Sequence, residues 1–435
     1  MTPAARLSAA IAILDEMATL KRPLTQSLQD WGKANRYAGS GDRNAVGNLV
    51  HDALRVNASA GWLMGERETV SGRAAVLGML RLLRGMEVEA IAALCSGERF
   101  APAPLSAAEH AALIAANLAD APPHVLGNYP AWLDDAFSAV FGEARAAELA
   151  AMASRAPLDL RVNALKLIRF KALEALGHLM PEPTPFSPHG LRIRANAEGR
   201  VPHVQSEPAF IKGAVEVQDE GSQLVSLLAG AEPGMQVLDF CAGGGGKTLA
   251  MAAEMNNKGQ IFASDSDQRR LAPIHDRLTR AGVRNVQVRT PKSGAMMLDD
   301  LADKMDLVLV DAPCTGTGTW RRHPDAKWRL RENALELRVG EQRAVLDAAA
   351  RFVKPGGRLV YITCSLLDAE NGAQIAGFLE RHADFSVIDA AENAQNRNLP
   401  ALAPHRDPRG LGLLLTPLRT GTDGFFVCLM IRDGK

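Results

Sequence analysis

From about residue 231 onward, the sequence alternates short apolar runs with longer helical patterns. The runs MQVLDF, QIFASD, NVQVRT, DLVLVDAP and RLVYITCS have the length of buried strands, and FFVCLMI near the end is a further, late strand. Helical patterns such as TLAMAAEM and DQRRLAPIHDRLTRAG, the second expected to be a single helix, lie between them. Strand–helix alternation predicts a parallel sheet with helices on both faces. We therefore expect a doubly wound α/β domain over residues 231–435.

The turn after the first run reads LDFCAGGGGKT, residues 238–248. A phosphate-binding loop requires G-x-x-x-x-G-K-[ST], but Cys241 stands where the first glycine belongs. The alternative is the glycine turn of a dinucleotide-type site, followed about 20 residues later by an acid that accepts hydrogen bonds from a ribose. Asp265 ends the next apolar run at about that offset. The pattern favours an adenosine cofactor, and an ATP-binding loop is the competing interpretation.

The chain before this domain has two different patterns. Residues 1–145 carry apolar positions at spacings of three and four and few β-branched clusters, which predicts a helical domain. Residues 146–230 mix the strand patterns DLRVNAL and LRIRAN with a helical pattern, which predicts a small α/β domain. The arginines of LRIR alternate with apolar residues, so they share one strand face. That face is either solvated or directed at RNA.

The composition limits the partners and the compartment. The 49 Lys and Arg equal the 49 Asp and Glu, so any nucleic acid must be held by local basic patches. The five cysteines form no C-x-x-C pair, which argues against a metal site. Their odd number and the lack of a leader-like start predict a cytoplasmic protein. No run approaches the roughly 18 apolar residues of a membrane span, so we expect no membrane partner, and we expect a monomer.

Reactive side chains follow several of the predicted strands. Asp239, Asp265 and Asp311 end three of them, and Cys314 and Cys364 follow two. Because parallel strands end at one edge of a sheet, we expect these side chains to converge there. A cysteine in a strand is more often a small buried hydrophobe, but a thiol in a loop beside a helix N-terminus can be a nucleophile. An adjacent carboxylate can then act on protons.

Three motifs carry a resemblance to a known family. DFCAGGGGKT, DAPCTGTGTWRRHPDAKW and LVYITCSLLDAENGAQIAGFL resemble the cofactor loop and the two cysteine motifs of bacterial RNA cytosine-C5 methyltransferases of the Sun (RsmB-type) family. VQDEGSQLV and DGFFVCLM resemble further motifs of that family, so the resemblance spans residues from about 215 to 430. It implies a Rossmann-like domain that uses S-adenosyl-L-methionine as its cofactor.

The resemblance extends more weakly to the first half of the chain. GSGDRNAVGNLVHDALR is similar to the helical NusB-like domain of the family, and RVNALK is similar to the start of its small RNA-binding domain. The family arrangement thus implies an all-α NusB-like RNA-binding domain over residues 1–145 and a small α/β, RRM-like RNA-binding domain over residues 146–230.

The resemblance also implies an activity and assigns its residues. The reaction would be methylation of carbon 5 of a cytosine in RNA, with 16S rRNA as the substrate. Cys364 would be the nucleophile that adds to carbon 6, Cys314 would assist release of the product, and Asp311 would hydrogen-bond the base. The residues implied to hold the cofactor are Cys241, Ala242, Gly243, Gly244, Gly245, Gly246, Lys247, Asp265 and Asp311.

Two positions depart from the family pattern. Gly243-Gly244 stand where the family has Ala-Pro, which predicts a more flexible loop and weaker cofactor binding. The third strand ends in Arg289-Thr290-Pro291-Lys292 without a carboxylate, so no residue is assigned to the adenine. The alternatives left open are the same chemistry on tRNA and a non-catalytic RNA-binding or ribosome assembly factor.

The loop after Cys314 interleaves cations with aromatic side chains in the sequence WRRHPDAKW. Arginine contacts phosphates and tryptophan stacks on unpaired bases. A solvated basic loop is the competing interpretation. We predict that the RNA-binding residues of this loop are Trp320, Arg321, Arg322 and Lys327.

Overall fold

The computed structural model describes residues 1–195, 201–292 and 297–434. The chain divides into two compact units. One comprises Met1–Arg155 and Trp320–Leu330, and the other comprises Ala156–Thr319 and Arg331–Lys435. The sequence patterns placed boundaries at 145 and 230, whereas the division between the units falls after Arg155 and again around the 320–330 segment. The last residue of LRIRAN, Asn196, lies outside the described residues.

The first unit is built from helices, in agreement with the apolar spacing of its sequence. Residues 1–155 are all described and contain no strand. The helices are α1 (Pro3–Leu20), α2 (Leu24–Ala34), α3 (Ser40–Arg55), α4 (Asn57–Leu63), α5 (Gly72–Leu82), α6 (Val88–Leu94), α7 (Ala107–Ala115), α8 (Pro123–Leu126), α9 (Asp134–Phe141) and α10 (Arg145–Ala151), with α17 (Pro324–Arg329) from the later segment.

Local signals start these helices and one core holds them together. The Thr2 hydroxyl accepts a hydrogen bond from the Ala5 amide at the start of α1, and Ser106 and Glu109 form a capping box at the start of α7. The apolar faces meet in a core whose fully buried members include Val50, Val76 and Met79. Burial of these faces, more than helix propensity, stabilises such short helices.

The second unit contains a small antiparallel sheet with its own core. The strand order is β2-β3-β1-β4, and Leu160, Leu191 and Val215 are buried together on it. Its elements are β1 (Leu158–Val162), α11 (Arg169–Ala175), β2 (Glu182–Pro183), β3 (Gly190–Ile193), α12 (Pro208–Ile211) and β4 (Val215–Val217).

The structure corrects the interpretation of the LRIR arginines. Arg192 lies opposite Asp159 across the β1–β3 pair and donates two hydrogen bonds of 2.7 Å to its carboxylate. The two side chains are 11% and 0% exposed, so Arg192 is neither solvated nor directed at RNA. Arg194, by contrast, is 75% exposed and lies 3.3 Å from Glu182. The environment of Arg192 is set by its pairing with Asp159 on the neighbouring strand. The alternation of residues along one strand does not show which residue lies opposite on the next strand.

A large mixed sheet forms the rest of the second unit. Its order is β10-β12-β9-β8-β5-β6-β7, with β11 paired to β12. The strands are β5 (Gln236–Asp239), β6 (Gln260–Ser264), β7 (Val286–Arg289), β8 (Met305–Asp311), β9 (Val353–Thr363), β10 (Phe385–Val387), β11 (Leu413–Leu415) and β12 (Phe425–Arg432). Strands β5 to β9 are parallel to their neighbours, but β12 runs antiparallel to β9, and β10 and β11 run antiparallel to β12. The predicted parallel sheet is thus present over β5 to β9, and the late strand β12 is antiparallel to it. The sequence did not show the direction of β12, because an apolar run has the same pattern in either direction.

Helices accompany this sheet. They are α13 (Glu220–Ala229), α14 (Gly246–Glu254), α15 (Gln268–Leu271), α16 (Ile274–Ala281), α18 (Glu332–Ala350), α19 (Gly372–Arg381), α20 (Ala390–Asn396) and α21 (Pro417–Thr420). The single helix expected over DQRRLAPIHDRLTRAG is instead α15 and α16, because Pro273 lacks an N–H and interrupts the pattern. Fully buried Val237, Leu307 and Val360 belong to the core of the sheet. Within the described ranges, no helix is both long and apolar enough to cross a lipid bilayer.

Candidate active site

The turn from β5 into α14 has a conformation that requires glycine. The Ala242 amide donates to the Ser264 carbonyl and the Gly245 amide to the Ala242 carbonyl, both at 2.8 Å. Gly243 and Gly245 have φ angles of +48° and +81°, in the left-handed region that other residues rarely adopt. A Cβ atom on Gly245 would also lie 2.5 Å from Cγ1 of Ile274. The turn therefore places backbone groups that no side chain covers at the carboxyl end of β5.

Each glycine of the predicted flexible pair is held by a side chain. The Gly243 amide donates to Oδ2 of Asp265 at 2.9 Å. The Gly244 carbonyl accepts a 2.6 Å hydrogen bond from Nη1 of Arg277 on α16. The two glycines are thus constrained by contacts that the sequence motif does not show.

Asp265 lies directly after β6 and is 1% exposed. Besides Gly243, it accepts a 2.9 Å hydrogen bond from the Asp267 amide through Oδ1. A carboxylate oxygen can accept two hydrogen bonds, so Asp265 keeps acceptor capacity for a hydroxyl group. The acid thus both orders the turn and stands where a ribose acid is expected.

An ion pair joins the turn to the neighbouring parallel strand. Nζ of Lys247, at the start of α14, lies 2.6 Å from Oδ2 of Asp311 at the end of β8. The Lys247 side chain is 9% exposed and that of Asp311 is 36% exposed. Lys247 is therefore held by a carboxylate of the same unit, which disfavours the phosphate-binding interpretation of the turn. Asp311 keeps an exposed part that a ligand can reach.

Asp239, the last residue of β5, is fully buried below the turn. Its Oδ2 accepts a 2.6 Å hydrogen bond from the Thr248 hydroxyl, whereas Oδ1 has no hydrogen-bond partner among the residues that the structure describes. Burial raises the pKa of Asp239 to about 7, because the charged form loses its hydration. This carboxyl group therefore keeps its proton in mildly acidic solution.

The two predicted reactive cysteines meet. Sγ of Cys314, in the loop after β8, lies 3.4 Å from Sγ of Cys364, which follows β9. Both residues are partly exposed. The hydrogen bond with Cys364 and then burial raise the pKa of the Cys314 thiol well above its usual value. Asp311 pairs in register with Ile362, two residues before Cys364, which puts the carboxylate and the sulfur atoms at the same end of adjacent strands.

A single buried carboxylate, that of Glu370, contacts both cysteine loops. Its Oε1 accepts a hydrogen bond of 2.8 Å from the Thr315 amide and one of 2.9 Å from Nε2 of Gln342. Its Oε2 accepts from the hydroxyl groups of Thr315 and Ser365. Gln342 also donates to the Pro313 carbonyl at 2.9 Å, next to Cys314. Glu370 thus fixes the two loops relative to each other.

Sequence reasoning missed Glu370 and Arg277 as site residues. Glu370 lies inside a quoted motif, six residues after Cys364, where an acid before a helix has the pattern of an ordinary helix start. Arg277 lies on the polar side of a helix and gave no signal. The predicted loop member Cys241 is partly exposed, and burial raises the pKa of its thiol. In the described ranges, no group of three or more His, Cys, Asp or Glu side chains could hold a metal ion.

The structure contradicts the prediction of an RNA-facing loop for three of its four residues. Trp320 and Lys327 are 1% exposed and Arg321 is 3% exposed, while Arg322 is half-buried. Trp320 packs edge-on against Phe137, and Nζ of Lys327 donates a hydrogen bond of 2.9 Å to the Arg55 carbonyl. The Arg321 carbonyl accepts from Arg55 at 2.8 Å. These three residues contact helices that are distant in the chain, so burial in the helical unit replaces solvent for them.

A large part of the chain is similar to proteins of a known family. Residues 226–431 match the family model of 16S rRNA methyltransferase RsmB/F. The probable ribosomal RNA small subunit methyltransferase B of Synechocystis sp. (strain ATCC 27184 / PCC 6803 / Kazusa) is 34% identical over 261 residues, 59% of this chain and 58% of that protein. Ribosomal RNA small subunit methyltransferase B of Sodalis glossinidius (strain morsitans) is 35% identical over 321 residues, 70% of this chain and 66% of that protein. The chain thus spans under two thirds of the length of both relatives.

A solved structure, that of PH0851, has the same fold. It superposes with a TM-score of 0.70 over 99% of both chains at 24% sequence identity. The likeness between the two proteins is one of fold.

Proposed function

Since residues 226–431 make this chain a member of the RsmB/F methyltransferase family, we propose that it transfers a methyl group from S-adenosylmethionine to carbon 5 of a cytosine in small-subunit rRNA. The observation that carries the proposal is the pair of sulfur atoms of Cys314 and Cys364, 3.4 Å apart at the carboxyl end of two parallel strands. Ligands bind at that end of α/β sheets, and transfer to an oxygen or a nitrogen would not require two thiols there.

The residues of the turn suit the proposed cofactor, which supplies a methyl group on a sulfonium when bound. Gly243 has no side chain to fill the turn, and the nearest non-neighbouring atom of the described ranges to a Cβ atom built there would be Nη2 of Arg270, at 3.6 Å. Asp265 keeps acceptor capacity for ribose hydroxyls. Lys247 and Asp311 border the turn as an ion pair. These groups would hold the cofactor between β5, β6 and β8.

The two cysteines would divide the work. The Cys364 sulfur, as thiolate, forms a bond to carbon 6 of the cytosine, which makes carbon 5 nucleophilic enough to take the methyl group. The carbon-5 proton must then pass to a basic group or to water, and its bonding electrons re-form the double bond between carbons 5 and 6. The bond between sulfur and carbon 6 breaks at the same time, and its electrons return to Cys364. Cys314 is placed to assist this release, and Asp311 is placed to hydrogen-bond the ring.

The substrate class is the finer part of the proposal. A base must leave its stack to reach the Cys364 sulfur atom, which suits unpaired or easily flipped RNA. The relatives are named for the ribosomal small subunit, which favours rRNA over tRNA. The helical unit is proposed to be the NusB-like part that contacts this RNA, with the small sheet as a second RNA-binding part. With the loop around Trp320 packed inside the unit, other surfaces must supply the basic contacts.

Two experiments test the function. Bisulfite sequencing of rRNA and tRNA from a strain lacking the gene should show one newly unmodified cytosine in 16S rRNA. A newly unmodified cytosine in tRNA alone would identify tRNA as the substrate. No change in either rRNA or tRNA would contradict the proposed methylation. Separately, S-adenosylhomocysteine should raise the melting temperature of the purified protein and ATP should not, and the reverse result would favour the phosphate-binding interpretation.

A further inference from the structure

Arg277 on α16 connects the cofactor turn to the small sheet. One edge of its guanidinium faces Glu216 on β4, with Nε and Nη2 lying 3.0 and 2.7 Å from Oε2. Its remaining nitrogen, Nη1, donates 2.6 Å to the Gly244 carbonyl. One planar group therefore bridges a strand of one sheet and the turn that follows a strand of the other.

The base of this bridge is rigid. The Glu216 side chain is 7% exposed, and it also accepts from Arg280, one turn further along α16. Glu216 lies opposite Arg161 in the β1–β4 pair, so its backbone is fixed by the sheet. Charge-assisted hydrogen bonds are stronger than neutral ones, and the guanidinium plane fixes the direction in which Nη1 points. A lysine could supply the charge but not this fork.

Gly244 leaves room for the guanidinium. A Cβ atom built on Gly244 would lie 3.2 Å from Nη1 of Arg277, and no other non-neighbouring atom of the described residues would come within 4 Å. Gly244 has no positive φ, unlike Gly243 and Gly245, so its backbone conformation does not demand glycine. The space that the missing side chain leaves is used by Arg277. The two positions therefore form a matched pair.

We propose that Arg277 is a positioning residue for the cofactor, and that Glu216 and the small sheet set the cofactor affinity through it. The inference rests on the proposed function, because it takes the 241–247 turn as the cofactor site. A turn that contains four consecutive glycines loses much conformational entropy when a ligand orders it. Arg277 restricts Gly244 before the ligand arrives, so the entropy lost on binding is smaller.

Calorimetric titration of S-adenosylhomocysteine into the full-length protein tests this. Arg277→Ala should weaken binding about tenfold, and Arg277→Lys should weaken it nearly as much, because both lose the fork. Arg284→Ala, which removes an exposed arginine a few residues further along the chain, is the matched control and should bind like wild type. Circular dichroism melting of each variant, without ligand, reports whether the fold is kept.

The direction in which a second substitution changes the binding affinity distinguishes a positioning role of Arg277 from a general structural role. Gly244→Ala should weaken binding in the wild-type background, because the new methyl group displaces Nη1. In the Arg277→Ala background, Gly244→Ala should leave binding unchanged or improve it, because alanine then stiffens an unhindered turn. Additive losses in the double variant, or wild-type affinity in Arg277→Ala, would overturn the inference. Wild-type protein that binds no S-adenosylhomocysteine would instead refute the proposed function, and this inference with it.

Discussion

The Cys314 and Cys364 sulfur atoms lie 3.4 Å apart, although 50 positions separate these residues in the chain. The contact arises because β8 and β9 are parallel neighbours, so the loops that follow them meet at one end. At this distance one thiol can donate a hydrogen bond to the other sulfur atom and can pass a proton to it. In the proposed reaction, one thiol would form the bond to the base and the second would serve the release step.

Replacing Cys314 with alanine should stall release while leaving the attack of Cys364 intact. The protein should then stay covalently attached to its RNA and migrate as a shifted band on a denaturing gel. Cys364→Ala should abolish both the band and the methyl transfer, and the double variant should behave like Cys364→Ala. A band that persists without Cys364 would assign the nucleophile to another residue.

Glu370→Gln should lower turnover by about ten- to a hundredfold without changing the affinity for S-adenosylhomocysteine. The substitution places an amide N–H₂ where Glu370 now accepts from the Thr315 amide and the Ser365 hydroxyl, so the cysteine loops lose their common anchor. Single-turnover methylation and calorimetry measure the two quantities. Glu380→Gln, an exposed change on α19, is the control. Equal losses in affinity and turnover would mean that Glu370 supports the whole unit instead.

Asp239 should make stability depend on pH. Its pKa is raised by burial from 3.8 to about 7, so the folded protein binds more protons than the unfolded chain between these values. This contribution is fully present below about pH 4 and is lost as the pH rises through about 7. Asp239→Asn removes the titration.

The free energy of unfolding of Asp239→Asn, relative to wild type, should therefore rise by on the order of 2 to 3 kcal/mol between pH 5 and pH 8. Urea titrations at several pH values measure it. Asp120→Asn, an exposed change in the helical unit, should give a difference that is flat with pH. A flat difference for Asp239→Asn as well would show that this carboxyl group titrates normally.

Trp320→Ala should destabilise the protein by about 3 to 5 kcal/mol, because it leaves a cavity beside Phe137. Trp320→Phe should cost much less, because the buried indole Nε1 of Trp320 has no hydrogen-bond partner in the described part of the chain. Chemical denaturation measures both effects. If Trp320→Ala instead weakened RNA binding at unchanged stability, the original prediction of a stacking tryptophan would be restored.

The sequence by itself determined the alternation of strands and helices, the glycine turn and the acids and cysteines that follow the strands. These features are local: an apolar period, a turn that needs glycine, a residue at the end of a run. The order β7-β6-β5-β8-β9 then brings Asp265, Asp311, Cys314 and Cys364 to one end of the sheet, as the strand–helix alternation predicted.

Only the tertiary structure decided what each charged side chain faces. The pattern WRRHPDAKW is the same whether its rings and cations meet solvent, RNA or helices, and here Trp320 and Lys327 are buried in the helical unit. The same holds for Arg192, which Asp159 neutralises across two strands, and for Arg277, which reaches the Gly244 carbonyl from another helix. A side chain's electrostatic partner depends on contacts between residues far apart in the chain, and one sequence carries no local signal for such contacts.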